Sequence, residues 1–322
     1  MFRLERIHFV ATLKRFEDAI DKRRFGGVVQ LSGQKLADEK LCTELERTVN
    51  SALESRRPED RLRLMKIVYQ LAMAETIEPR FGIDNKNRMM ELLTKTYCSI
   101  EPDPAYMQHM RQGRRKFQEY LLKDRAFLSI REQGSIDDPD NSIYYLTHLM
   151  QVHNKAMEHP TLEFRTSRLL FNYTGGEGAY STGDIKFAGD VVDRVYGFMR
   201  RNRILVHENT HAQQDQMGQA YREGRLTPAS PFYWQGMIHA EFDQEDGKRL
   251  FYVLPKENRT AYYVQPVERE AYTAERVFAV VEKRLKYEEA IREGRNPSKI
   301  KRLAGRPLDN RRAHIAHEPA AA

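Results

Sequence analysis

Along the first half of the chain, apolar positions return every three or four residues, the spacing of a helix with one buried face. Leu4, Ile7, Phe9, Leu13, Phe16 and Ile20 keep that spacing until Gly26-Gly27 interrupts it, and Leu36, Leu41, Leu45 and Val49 carry it on to Pro58. A further helix is predicted over Pro58 to Thr76, with Leu62, Met65, Val68 and Ala72 on one side and proline at its start. Pro79 ends it, another fits Asp84 to Cys98, and Glu101-Pro102-Asp103-Pro104 makes a turn before a long helix from Tyr106 to Leu128.

The pattern changes character near His159-Pro160. Leu162-Glu163-Phe164 and Arg168 to Tyr173 read as extended, and a glycine cluster at 175–178 leads into a second short strand between Ala179 and Phe187. Lacking a following Gly-Lys-Ser/Thr, those glycines are not a phosphate loop of the usual kind. Helical spacing resumes at Asp190 with Val191, Val195 and Phe198, and runs to about Tyr221, before Gly224 and Thr227-Pro228. Residues 228–264 are aromatic and irregular, with one strand pair expected, and Gln265-Pro266 opens a last helix through Val277, Val280 and Leu285. These elements predict an α+β protein, mainly helical, with a small β-sheet packed on the helix that precedes Tyr221. Three regions are expected: a helical one over 1–155, a second domain over 156–290 and a basic, flexible tail over 291–322.

Composition narrows this further. With 322 residues, 40% hydrophobic and 31% charged, the chain can bury a substantial core. No apolar run reaches the roughly 18 residues needed to span a bilayer and none lies near the start, so no membrane is expected. The expected location is the cytoplasm, with export lacking a cleaved signal as the alternative. Cys42 and Cys98 form no C-x-x-C pair, which argues against a disulfide framework or a cysteine zinc site. The net charge of +7 comes from 53 basic and 46 acidic residues. Between Lys283 and His314 there are 11 Lys/Arg against 4 acidic residues, and that difference of 7 equals the whole surplus. Such a stretch is either a solvated helix end or a contact for nucleic acid or another acidic partner.

The chemistry is concentrated in Ile204-Leu205-Val206-His207-Glu208-Asn209-Thr210-His211. Two histidines four apart on a helix lie on one face and can share a metal ion, and the glutamate between them can act on a water bound to it. Roughly 0.02 occurrences of H-E-x-x-H are expected by chance in a chain of this composition. The aliphatic run before His207 marks a buried helix, where unpartnered imidazoles would be costly. A third histidine six positions after His211 is excluded, because Gln214 and Met217 stand where that pattern has glycine and histidine. The remaining downstream candidates are His239, Glu241, Asp243, Glu268 and Glu270, and a carboxylate suits a His₂Glu catalytic site.

With the glycine and tyrosine strand before the motif and Pro266-Val267-Glu268-Arg269-Glu270-Ala271-Tyr272 after it, the sequence over about 165–285 resembles the gluzincin, thermolysin-like zinc metallopeptidases, above all their small single-domain members. The resemblance implies hydrolysis of peptide bonds in a protein or peptide substrate, with one zinc ion held by His207, His211 and a glutamate on the next helix, and Glu208 as general base. In that family a small residue follows the glutamate ligand; Glu270-Ala271 fits this best, with Glu268 the alternative ligand. It also implies an oxyanion partner among His239, Tyr262, Tyr263 and Tyr272, and a substrate-pairing edge strand around Tyr180. Asp215, four past His211, is a candidate to orient a ligand. The alternative function is a non-catalytic binding protein that uses its basic tail.

Overall fold

Pro58 and Asp103 sit where helices begin, and both helices form. The structure, a computed structural model, describes residues 46–47, 49–50, 58–77, 83–133, 139–173, 178–181, 183–188, 198–242, 244–245, 248–249 and 251–294. In chain order these make α1 (Pro58–Ile77), α2 (Ile83–Ser99), α3 (Pro104–Leu121), α4 (Arg125–Gln133), α5 (Pro139–Met157), β1 (Arg168–Tyr173), β2 (Gly178–Ser181) and β3 (Asp184–Ala188). There follow α6 (Phe198–Arg222), α7 (Tyr233–Phe242), the short strands β4 (Gln244–Glu245) and β5 (Lys248–Arg249), α8 (Arg259–Val264) and α9 (Pro266–Arg292). The fold is therefore α+β and mainly helical, as its periodicity predicts. The helices predicted before residue 46, the start of the helix predicted from Asp190, and residues 295–322 lie outside the described residues.

Three local expectations change. The helix predicted from Tyr106 to Leu128 is two, because the chain turns after Leu121 and the Asp124 carboxylate restarts it by accepting from the Phe127 amide at 2.8 Å. Leu162-Glu163-Phe164 pairs only through an isolated His159–Leu162 bridge. The irregular aromatic stretch contains α7, whose Tyr-Trp-Gln-Gly-Met-Ile-His-Ala-Glu-Phe has apolar residues on all sides and so shows no amphipathic period.

The sheet has strand order β1-β3-β2, with β1 parallel and β2 antiparallel to β3, leaving β2 at an edge against α6. α6 is the axis of the molecule: all ten residues from Leu205 to Gln214 are buried, so other elements cover it on every side. It packs most extensively on α7 and α9. Gly218 and Gly236 permit the α6–α7 approach, since a Cβ on Gly218 would lie 2.9 Å from the Ala240 amide and one on Gly236 2.9 Å from the Met217 carbonyl. The apolar core lies in three clusters, each drawing on both sides of residue 155: Leu93 and Tyr97 with Phe242 and Val253, Phe117 and Leu149 with Leu205 and Phe278, and Tyr106 and Met157 with Met217 and Phe232. The described helices of the first half thus wrap the motif helix. No helix among the described residues is long and apolar enough to cross a membrane. At the end of α9, Lys286 and Arg284 of the basic stretch pair with Glu282 and Glu288.

Behind α6, a buried polar network joins it to α5. Asn209 and Gln213 each donate to the Asn154 side-chain carbonyl at 2.8 Å, and Asn209 also donates to His153 Nδ1 at 2.8 Å. Burial, with a smaller contribution from Arg114, holds the His153 imidazole down to about 3. Its pKa is lowered by folding, so unfolding takes up a proton below the ordinary value of 6.5. Stability is therefore full above about pH 6.5 and falls as pH drops from there toward 3. His153→Gln keeps an acceptor but cannot be protonated, so urea unfolding between about pH 6.5 and 4 is expected to lose about 1.4 kcal/mol per pH unit of slope relative to the parent protein. An unchanged slope contradicts this assignment.

Candidate metal centre

The histidines of α6 face the first turn of α9. His207 is 8% and His211 4% exposed, so both lie on a buried face of the helix, as the aliphatic run before them predicts. Their Nε2 atoms lie 3.2 Å apart, and Glu268 places one carboxylate oxygen 3.3 Å from His207 Nε2 and the other 3.1 Å from His211 Nε2. Among the described residues this is the group of three ligating side chains whose donor atoms converge, all within 4.8 Å of one another. Ligands bound to zinc at about 2.0–2.1 Å and at the tetrahedral angle stand about 3.3 Å apart. The three donors are thus already spaced as corners of a tetrahedral site.

The outer nitrogens fix the ring states. His207 Nδ1 lies 2.6 Å from a Glu275 oxygen, and an ionised carboxylate only accepts. His211 Nδ1 lies 2.8 Å from Gln214 Oε1, and that amide is oriented because its nitrogen donates to the Val267 carbonyl at 2.9 Å. Both rings therefore donate from Nδ1, which leaves each Nε2, facing the other ring and Glu268, to carry a proton or to bind a metal ion. Lone pairs at that distance repel unless a metal ion or a proton lies between them. Without metal, burial opposes charge on His207, but Glu268 and Glu275 outweigh it and raise the imidazole to about 10. Burial likewise pushes Glu268 up, and His211 and His207 outweigh that to hold it well below the usual carboxylate range. The donor set suits a divalent ion that would replace the proton.

The glutamate that meets the histidines is thus Glu268, not the favoured Glu270. Residues two apart on a helix point to nearly opposite sides. Glu268, Tyr272 and Glu275, at i, i+4 and i+7 of α9, all face α6, and Ala271, one turn past Glu268, is fully buried. Glu270 turns away from the pair: its Oε2 accepts from His239 and Gln235 of α7 at 3.1 and 3.3 Å and from Gln214 of α6 at 3.2 Å, and burial raises its carboxyl to about 8. His239 belongs to this inner cluster and lies off the cleft.

Glu208, 8% exposed, borders a cleft of about 1180 Å³ together with Gly178, Ile204, Tyr262 and Tyr272. Gly178 of β2 abuts Glu208: a Cβ there would lie 2.6 Å from Ile204 Cγ2 and 3.3 Å from Glu208 Cγ. Tyr272 meets the His207 ring edge to face at 4.7 Å, and its hydroxyl is hydrogen-bonded to that of Tyr262. Both are held well above the usual phenol range, by burial first and by the Glu268 charge next for Tyr262, so they remain donors. Tyr263 stacks on this pair but is 41% exposed and off the cleft. Tyr180 and Asp215 are hydrogen-bonded to each other at 2.5 Å, tying β2 to α6; Gln214, not Asp215, orients His211. Sequence pattern alone does not single out Glu275, Gln214 or Tyr252, whose hydroxyl donates to Glu268 at 2.6 Å. Helical phase from Glu268 finds Glu275; nothing local marks Tyr252.

Comparisons of the chain with family models, with curated proteins and with solved structures find no match. The two glutamates separate experimentally. Glu268→Gln is expected to weaken zinc binding by at least about 100-fold, whereas Glu270→Gln stays within about threefold, read by competition with a chromophoric chelator. The reverse order would return Glu270 to the site.

Proposed function

We propose that the chain is a zinc-dependent peptidase of gluzincin type, with His207, His211 and Glu268 as ligands and Glu208 as general base. The observation that carries this reading is the pair of converging Nε2 atoms, each fixed from its Nδ1 side, beside a buried carboxylate and a cleft-facing glutamate. A purely structural ion pair accounts for the proton between them but not for the cleft that opens at Glu208.

Zinc held there would polarise a peptide carbonyl and lower the pKa of water toward about 7. The chain's own groups supply the rest. Glu208 accepts the proton of the attacking water and returns it to the leaving amine. Tyr262 and Tyr272 are protonated and face the same cleft, and because one hydroxyl donates to the other, the second keeps its proton for the oxygen on which negative charge develops. Glu275 and Gln214 keep both imidazoles in the ligating tautomer. β2 offers an edge whose amides can align an extended substrate beside Glu208.

Digestion of a peptide library followed by mass spectrometry tests the activity without a known substrate. Glu208→Gln is expected to keep its zinc and lose hydrolysis by at least about 10²–10⁴-fold. Tyr262→Phe and Tyr272→Phe are expected to lower turnover, by about 10²–10³-fold for the one that reaches the oxyanion. Full hydrolysis by Glu208→Gln contradicts the mechanism.

A further inference from the structure

The loop between the β4–β5 hairpin and α8 reaches the metal centre through one atom, the Tyr252 hydroxyl, which donates to Glu268 Oε1 at 2.6 Å. The aim of that hydroxyl depends on the backbone that carries it. Phe251 has φ of 54°, the sole positive value at a non-glycine position among the described residues, and a bulky side chain adopts it only when its surroundings impose it. The surroundings are in α1 and α2. Tyr97 of α2, wholly buried, donates to the Phe251 carbonyl at 2.6 Å. Tyr69 of α1 donates to the Tyr252 carbonyl at 3.1 Å and sets its ring edge to face against Phe251 at 5.4 Å. From the other side, Gln265 accepts from the Val253 amide at 3.1 Å and donates to the Val253 carbonyl at 3.2 Å, three residues before Glu268.

We propose that Tyr69 and Tyr97 are positioning residues for the metal ligand Glu268, acting through the backbone of residues 251–253 and the Tyr252 hydroxyl, so that α1 and α2 form a built part of the metal centre. This rests on the zinc reading above. Removing either hydroxyl leaves a carbonyl without its donor and frees the loop to leave the left-handed conformation. The Tyr252 hydroxyl then swings off Glu268, and the carboxylate regains rotamer freedom that the bound ion must suppress. Burial raises Tyr69 to about 12, so its hydroxyl remains a donor throughout the working pH range.

The probe is the metal alone, cobalt(II) for its visible spectrum and zinc for affinity, on the full chain. Tyr252→Phe is expected to weaken binding about 10- to 100-fold and to alter the cobalt absorption. Tyr69→Phe and Tyr97→Phe are expected to alter the spectrum in the same sense and weaken binding about three- to tenfold each. The control is Tyr106→Phe, which removes a hydroxyl buried without a partner in a different cluster and keeps the parent spectrum. A merely structural role would lower the melting temperatures of the metal-free and metal-loaded forms together and leave spectrum and affinity unchanged; that result overturns the proposal. Should Tyr97→Phe fail to fold, Tyr69→Phe decides. A parent protein that takes up no metal sinks the zinc reading and this inference with it, whereas a parent that binds metal with all three variants unchanged sinks this inference alone.

Discussion

Two imidazoles whose Nδ1 atoms are already committed, to a carboxylate on one side and an amide on the other, are forced to turn their Nε2 atoms toward each other at 3.2 Å. That arrangement is unfavourable unless something positive lies between them, and much of the surrounding structure serves to hold it. Glu268 supplies the third donor from the first turn of α9, where Pro266 and Gln265 fix the start of the helix. Tyr252 and Glu275 hold Glu268 and His207 from outside. Removing one partner would strand a buried charge, which costs more than an ordinary hydrogen bond.

The same constraint explains why α6 is enclosed. A helix buried on every face must satisfy polar side chains in two directions. Toward α9 it directs His207, His211 and Gln214; toward α5 it directs Asn209 and Gln213 into the network with Asn154 and His153. The neutral His153 and the charged cluster around His207 thus lie on opposite sides of one helix, and their environments push the two histidines in opposite directions. The helices before residue 155 are not an appendage to this core. They close its back, and through Tyr69 and Tyr97 they reach the loop that touches Glu268.

Much of this is legible in residue pattern. His207, Glu208 and His211 stand out because their spacing has a geometric meaning on a helix, and proline marks the starts of α1 and α9. The glutamate that joins the two histidines is misplaced by sequence reasoning because Glu268 and Glu270 point to nearly opposite sides of α9, and a small neighbour does not tell which of them faces α6. The edge strand around Tyr180 is legible, but the partner of the Tyr180 side chain, Asp215, is not, since it lies 35 residues on. α7 leaves no period because its partly exposed face carries Tyr233, Trp234 and Met237, which are as apolar as the buried one. Tyr252 and Tyr69 are beyond reach in principle, since their roles depend on contacts spanning 16 and 183 residues of sequence.

X-ray absorption at the zinc edge of the purified full-length protein tests the centre most directly. About one zinc per chain is expected, surrounded only by nitrogen and oxygen at about 2.0–2.2 Å, with the outer-shell scattering of two imidazoles. A protein that carries no stoichiometric zinc, or one whose zinc has sulfur at about 2.3 Å, contradicts a His207–His211–Glu268 centre.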